Sequence, residues 1–144
     1  MDNMKKIVIA VDNDPTSEKV ALNGFQLGLQ LNAEIALLSV VDLTMLITEG
    51  AVSTKEFADL AINDYKKNQQ MLVDTVFKEY KIKTFVEEGI PYEVILNVAK
   101  EWNADIIVLG THGRTGISHL IMGSVAEKIV RHSKIPVYII PIRS

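Results

Sequence analysis

Three short apolar runs constrain this chain more than anything else in it: Ile7-Val-Ile-Ala-Val11, Ile35-Ala-Leu-Leu-Ser-Val-Val41 and Asp105-Ile-Ile-Val-Leu109. A strand with one wet face alternates apolar and polar side chains. These runs are apolar at both parities, so both faces need cover, which is the situation of a strand inside a parallel sheet. Each run is closed by a turn signal: Asp12-Asn-Asp-Pro15, Asp42 and Gly110. Two weaker runs, Lys83-Thr-Phe-Val-Glu87 and Pro136-Val-Tyr-Ile-Ile140, bring the strands to five.

The stretches between them carry helical spacing. From Thr16 or Ser17 to Leu31, the residues Val20, Phe25, Leu27, Leu29 and Leu31 recur among polar ones. Ser17 is a candidate cap, and Gly24 and Gly28 read as points where the helix approaches the sheet closely. Ser53 to Tyr80 places Phe57, Leu60, Ala61, Tyr65, Leu72, Val76 and Phe77 near helical period, and Ser53 with Glu56 has capping-box spacing. Gly89-Ile-Pro91 opens a helix that runs to about Trp102, and a last one spans about Ser124 to His132. Leu43 to Val52 has no period and reads as a loop; its Met45, Leu46 and Ile47 serve either core packing or the cover of a ligand or partner.

Strand and helix alternate throughout, which predicts right-handed crossovers and one α/β domain over residues 1–144. With strands numbered in chain order, the expected five-stranded parallel sheet is doubly wound in the order 3-2-1-4-5, with helices on both faces. Ligands of such sheets bind beyond the carboxyl ends of the strands where the winding reverses. Asp12, the loop after Val41 and the loop after Leu109 fall on that edge.

Composition narrows the function. The formal net charge is −3 and the basic residues are scattered, which argues against nucleic acid. The count of cysteine is 0, so disulfide, thiolate-metal and cysteine-nucleophile chemistry are excluded. Met1 to Lys6 leads into an apolar run too short for a signal-peptide core or a membrane span, and the expectation is a cytoplasmic protein without membrane contact.

The segment Gly110-Thr-His-Gly-Arg-Thr-Gly-Ile-Ser-His-Leu-Ile-Met-Gly-Ser124 carries the chemistry. Its glycines let backbone N–H groups approach an anion, and a Gly-Ser pair opens a helix whose N-terminus adds donors and partial positive charge. The sequence has no Gly-Lys pair for a Walker loop, and Gly110, Gly113 and Gly116 lack dinucleotide-fingerprint spacing. Ser118 and Ser124 sit in no Gly-x-Ser-x-Gly elbow, so serine hydrolysis is disfavoured. His112 has no neighbour in sequence to orient it as a base, and with His119 and His132 it lacks the spacing of a ligand set. Arg114 reads equally as a phosphate contact or as a solvated loop charge. Trp102 reads as a packing anchor.

The pattern Gly-x2-Gly-x9-Gly-Ser, met by Gly110, Gly113, Gly123 and Ser124, resembles that of the universal stress proteins, in the branch that binds ATP. The resemblance extends through Ile7-Val-Ile-Ala-Val-Asp12, Gly89-x-Pro91, Asp105-Ile-Ile-Val-Leu-Gly-Thr-His-Gly113 and Arg131-His-Ser-x-x-Pro-Val137. The first turn departs from it, with Asp12-Asn-Asp14 where the family often has Asp-Gly-Ser. The resemblance implies that Gly110 lies against the ribose, that Gly113, Gly123 and Ser124 hold the phosphates, and that Val41 meets the adenine through its main chain. Asp12 would face the adenosine end, since a carboxylate beside a triphosphate is repulsive without a metal between them. The implied ligand is ATP, or AMP or another adenine nucleotide, with magnesium or manganese accompanying a triphosphate. Capping is the plain alternative for Ser124.

Three functions compete at this point: a nucleotide-binding stress-response or signalling module that acts through conformation or partner choice, a slow ATPase or nucleotidyl-transferring enzyme in the same pocket, and an adaptor that keeps only the fold. The glycine signature disfavours the adaptor, and the lack of an evident base or lysine clamp disfavours the enzyme. The resemblance and the apolar last strand, Val137 to Ile142, also imply a homodimer through that strand, with Ile140 among its interface side chains.

Overall fold

The apolar runs become the middle of one sheet. The computed structural model describes residues 5–42, 44, 54–111 and 122–142. In chain order the elements are β1 (Lys6–Ala10), α1 (Thr16–Leu31), β2 (Glu34–Val41) and α2 (Thr54–Leu72), which continues as a π-helical turn (Val73–Phe77). Then follow β3 (Lys83–Glu88), α3 (Pro91–Glu101), β4 (Ile106–Gly110), α4 (Ser124–His132) and β5 (Val137–Ile140). The strands form one parallel sheet in the order β3-β2-β1-β4-β5, the doubly wound arrangement that the alternation predicts.

The two parities of the central runs enter two cores. Ile7, Ile9, Ile35, Leu37 and Val108 pack under α1 and the end of α2, with Val20, Ala21, Leu72 and Phe77. Val8, Ala36, Leu38, Ile107 and Leu109 pack under α3 and α4, with Ile95, Val98, Ala126 and Ile129. Gly24 and Gly28 explain how α1 comes so close: a Cβ at Gly24 would lie 2.6 Å from Ile9 Cδ1, and one at Gly28 would lie 2.6 Å from Ile35 Cδ1. On α2 the buried side chain of Gln69 reaches into the sheet, where its Nε2 donates to Phe85 O at 2.8 Å, Ser39 Oγ at 3.1 Å and Leu37 O at 3.3 Å.

Three local expectations are corrected. Ser17 does not cap α1; it is buried within the helix, and the start is held by Asp14, whose Oδ1 accepts the Thr16 N–H at 2.8 Å. The long second helix is α-helical only to Leu72. The wider π turn buries Val76 and Phe77 in the same core as Leu72, and the chain leaves it through Lys78 at φ 51°. In β5, Ile140 is buried in the protein's own core, as is Ile142; the exposed side chain of that strand is Tyr138. The Ser53–Glu56 capping box and the Met45, Leu46, Ile47 cluster lie outside the described residues. Among those residues no helix is long and apolar enough to cross a membrane.

The close approach of α1 generates a prediction. Gly24→Ala should raise helix propensity yet lower stability by about 1–3 kcal/mol, because Ile9 is fully buried and has no room to retreat. Urea unfolding followed by circular dichroism measures it. Adding Ile9→Val, which removes Cδ1 but leaves Cγ1 at 2.8 Å, relieves part of the clash and should make the double variant more stable than the two single losses sum to.

Candidate functional site

The carboxyl edge of the sheet is assembled from the residues that follow β1, β2 and β4, which are neighbours across the winding reversal. Strand spacing sets the distance from β2 to β4 at about 10 Å. After β1 the chain stays tied to β2, since the Val11 N–H donates to Leu38 O at 3.0 Å. The half-buried Asp12 follows, and its Oδ1 accepts the Asn13 N–H at 2.8 Å, which fixes the carboxylate against its own turn. Val41 is buried at the end of β2; its carbonyl accepts the Gly89 N–H at 3.1 Å and keeps a second lone pair.

Thr111, not singled out by the sequence, organises the far side. Its N–H donates to Ile140 O at 3.0 Å, its hydroxyl accepts the Ile142 N–H at 2.9 Å, and its carbonyl accepts the Gly123 N–H at 2.6 Å. One residue therefore joins the end of β4, the end of β5 and the start of α4. Gly123 is the N-cap of α4, in extended conformation, and makes no side-chain cap hydrogen bond; its carbonyl accepts the first helical N–H, from Glu127. Ser124 is the first helical residue and is exposed, so it is not the cap. Glu127, the acid of the first turn, is paired with Arg131 one turn on, which counters its charge near the helix start.

The structure thus brings Asp12, Val41, Gly110, Gly123 and Ser124 to one edge. Gly113, Arg114, His112 and His119 lie outside the described residues. His132 is at the opposite end of α4, exposed, with its ring 6.2 Å from that of Tyr92. Trp102 is at the opposite edge of the sheet, packed in the second core with Lys6 Nζ 5.1 Å from its ring centre, as a packing anchor would be. Among the described residues no group of three or more His, Cys, Asp or Glu side chains is placed to hold a metal.

Known proteins resemble the chain over nearly its whole length. Residues 3–141 match the model of the Universal stress protein family. Universal stress protein MJ0531 of Methanocaldococcus jannaschii is 29% identical over 138 residues, which cover 94% of this chain and 81% of the relative. Universal stress protein MJ0577 of the same organism is 29% identical over 153 residues, 94% of either protein. The solved structure of MJ0577 superposes with a TM-score of 0.78 at 24% identity over 97% of both chains. A universal stress protein crystallised in complex with cAMP gives 0.63 at 18% identity, over 95% of this chain and 96% of that one. At these identities the two structural matches establish the fold.

Thr111→Val tests how the edge is built. It keeps the shape but leaves the Ile142 N–H without its acceptor, so stability should fall by about 1–3 kcal/mol. Amide exchange should rise first at Ile142 and along the start of α4. Uniform loosening across the whole chain would instead mean that Thr111 does not organise this edge.

Proposed function

The chain belongs to the universal stress protein family, and on that premise we propose that it binds an adenine nucleotide, ATP foremost, at the carboxyl edge of β1, β2 and β4. The observation that carries this reading is the start of α4. Its N-cap is a buried glycine drawn against the end of β4 by the Gly123 N–H to Thr111 O bond, and among the described residues no side chain caps it. First-turn amides and the helix dipole favour an anion at such a place. Ser124 adds an exposed hydroxyl that is not consumed by capping.

Gly113, Gly123 and Ser124 hold the phosphates in this reading, with Arg114 as a further phosphate partner and Gly110 against the ribose. Asp12 and the main chain of Val41 take the adenosine end. The cAMP complex of a related protein supports an adenine nucleotide as the ligand class. A magnesium or manganese ion accompanying a triphosphate would be bound chiefly by its phosphates. The bound nucleotide acts as a signal that alters conformation or partner choice.

The module works as a homodimer. β5 is an edge strand, and it presents the aromatic side chain of Tyr138 to solvent beside its open backbone. Antiparallel pairing with a second β5 covers both and is self-complementary about a twofold axis.

Calorimetry with ATP tests the site. Ser124→Ala should weaken binding roughly tenfold or more, the worth of a hydrogen bond to a charged group, and leave the melting temperature nearly unchanged. Gly113→Val should abolish binding, as should Gly123→Val in a protein that still gives the parent's circular dichroism. Parent-like affinity in all three removes the site from this segment, and mass spectrometry of nucleotide carried through purification identifies the natural ligand.

Sedimentation tests the assembly. The unmodified protein should be dimeric at micromolar concentration, and Tyr138→Arg should shift it to monomer by bringing like charges together across the twofold. A monomeric parent, or a dimeric Tyr138→Arg protein, would place β5 outside any interface.

A further inference from the structure

We infer that Asp64, on α2, is a positioning residue for the ligand-facing turn after β1. This rests on the reading of Asp12 as an adenosine contact. Asp12 cannot be considered apart from Asn13, whose N–H is held by Asp12 Oδ1 at 2.8 Å. Asn13 is in turn held by its side chain: its Nδ2 donates to Asp64 Oδ2 at 2.7 Å, across 51 positions of sequence. These two bonds in series connect α2 to the carboxylate of Asp12. A second tie runs parallel one helical turn on, where Asn68 Nδ2 donates to the buried Ser17 Oγ at 3.4 Å. Beyond it Gln69 anchors α2 to β2 and β3.

The choice of residues fits that task. Asp14 commits one carboxylate oxygen to starting α1, so the turn Asp12–Asp14 is fixed on its α1 side by its own chain. On the other side the Asn13 N–H is held by its neighbour Asp12, and Asp64 anchors the Asn13 side chain from a different element. Residues Lys55 to Asp64 of α2 are exposed or half-buried, whereas Tyr65, Gln69 and Leu72 are buried. Asp64 therefore sits where the seated part of the helix begins, rigid enough to orient a partner and open enough to reach over the sheet edge. An acceptor is what the position requires.

The test compares Asp64→Ala and Asp64→Asn in the full chain. Amide exchange of the Asn13 and Asp14 N–H groups, measured without any nucleotide, should rise about three- to tenfold in Asp64→Ala and return toward the parent in Asp64→Asn, which keeps an acceptor. Calorimetry should give a similar fold loss for adenosine and for ATP in Asp64→Ala. In an Asp12→Ala background Asp64→Ala should cost no further affinity, as expected for a residue that acts through Asp12. Unchanged exchange in Asp64→Ala, or an Asp64→Asn protein as impaired as Asp64→Ala, overturns the inference, as does an undiminished loss of affinity in the Asp12→Ala background. If the parent binds neither adenosine nor ATP, the proposed ligand fails, while the exchange measurement still decides whether Asp64 holds the turn.

Discussion

Everything at the carboxyl edge depends on β1 being closed on all sides. Its Ile7, Val8 and Ile9 are fully buried, with helices on both faces and β2 and β4 hydrogen-bonded to its two edges. A strand in that position must have the chain wind away from it in both directions. The helices after β1 and β3 then lie on opposite faces of the sheet, and α1 and α4 pack on opposite sides of it. The candidate site is thus a by-product of burying β1, whose own contribution to it, Asp12, follows closely on a buried strand.

That same closure explains how much was legible in the sequence. A strand covered on both faces leaves no polar parity, so the runs at Ile7, Ile35 and Asp105 announced themselves, and the order of the sheet followed from alternation. Helix ends were less readable, because several neighbouring polar residues compete for one set of amides. Ser17 looked like a cap, yet Asp14 took the role and left Ser17 to the interior. The π turn escaped notice since Leu72, Val76 and Phe77 fit a helical pattern until packing selects which of them stack.

The edge itself was legible only in part. Glycine spacing marked Gly110, Gly123 and Ser124, and the helix does begin at Ser124. Thr111 carried no signal: it bonds to Gly123, Ile140 and Ile142, residues that chain order separates and only the sheet brings together. At β5 the uniform apolar run hid a division of labour, since Ile140 and Ile142 serve the core, Val137 and Ile139 are half-buried and Tyr138 is left to solvent. A run of like residues cannot declare which of its members faces outward when the strand is half covered.

Gln69 gives α2 a property that an all-apolar helix face would lack. Leucines sliding over leucines lose little at each step, so such a helix has a broad range of nearly equivalent seats. An amide that meets Phe85 O, Ser39 Oγ and Leu37 O has one. Moved by a turn, it would strand a donor against apolar side chains at a cost of about 1–3 kcal/mol. α2 therefore has one preferred seat on the sheet, and leaving it gives up all three contacts of Gln69 at once.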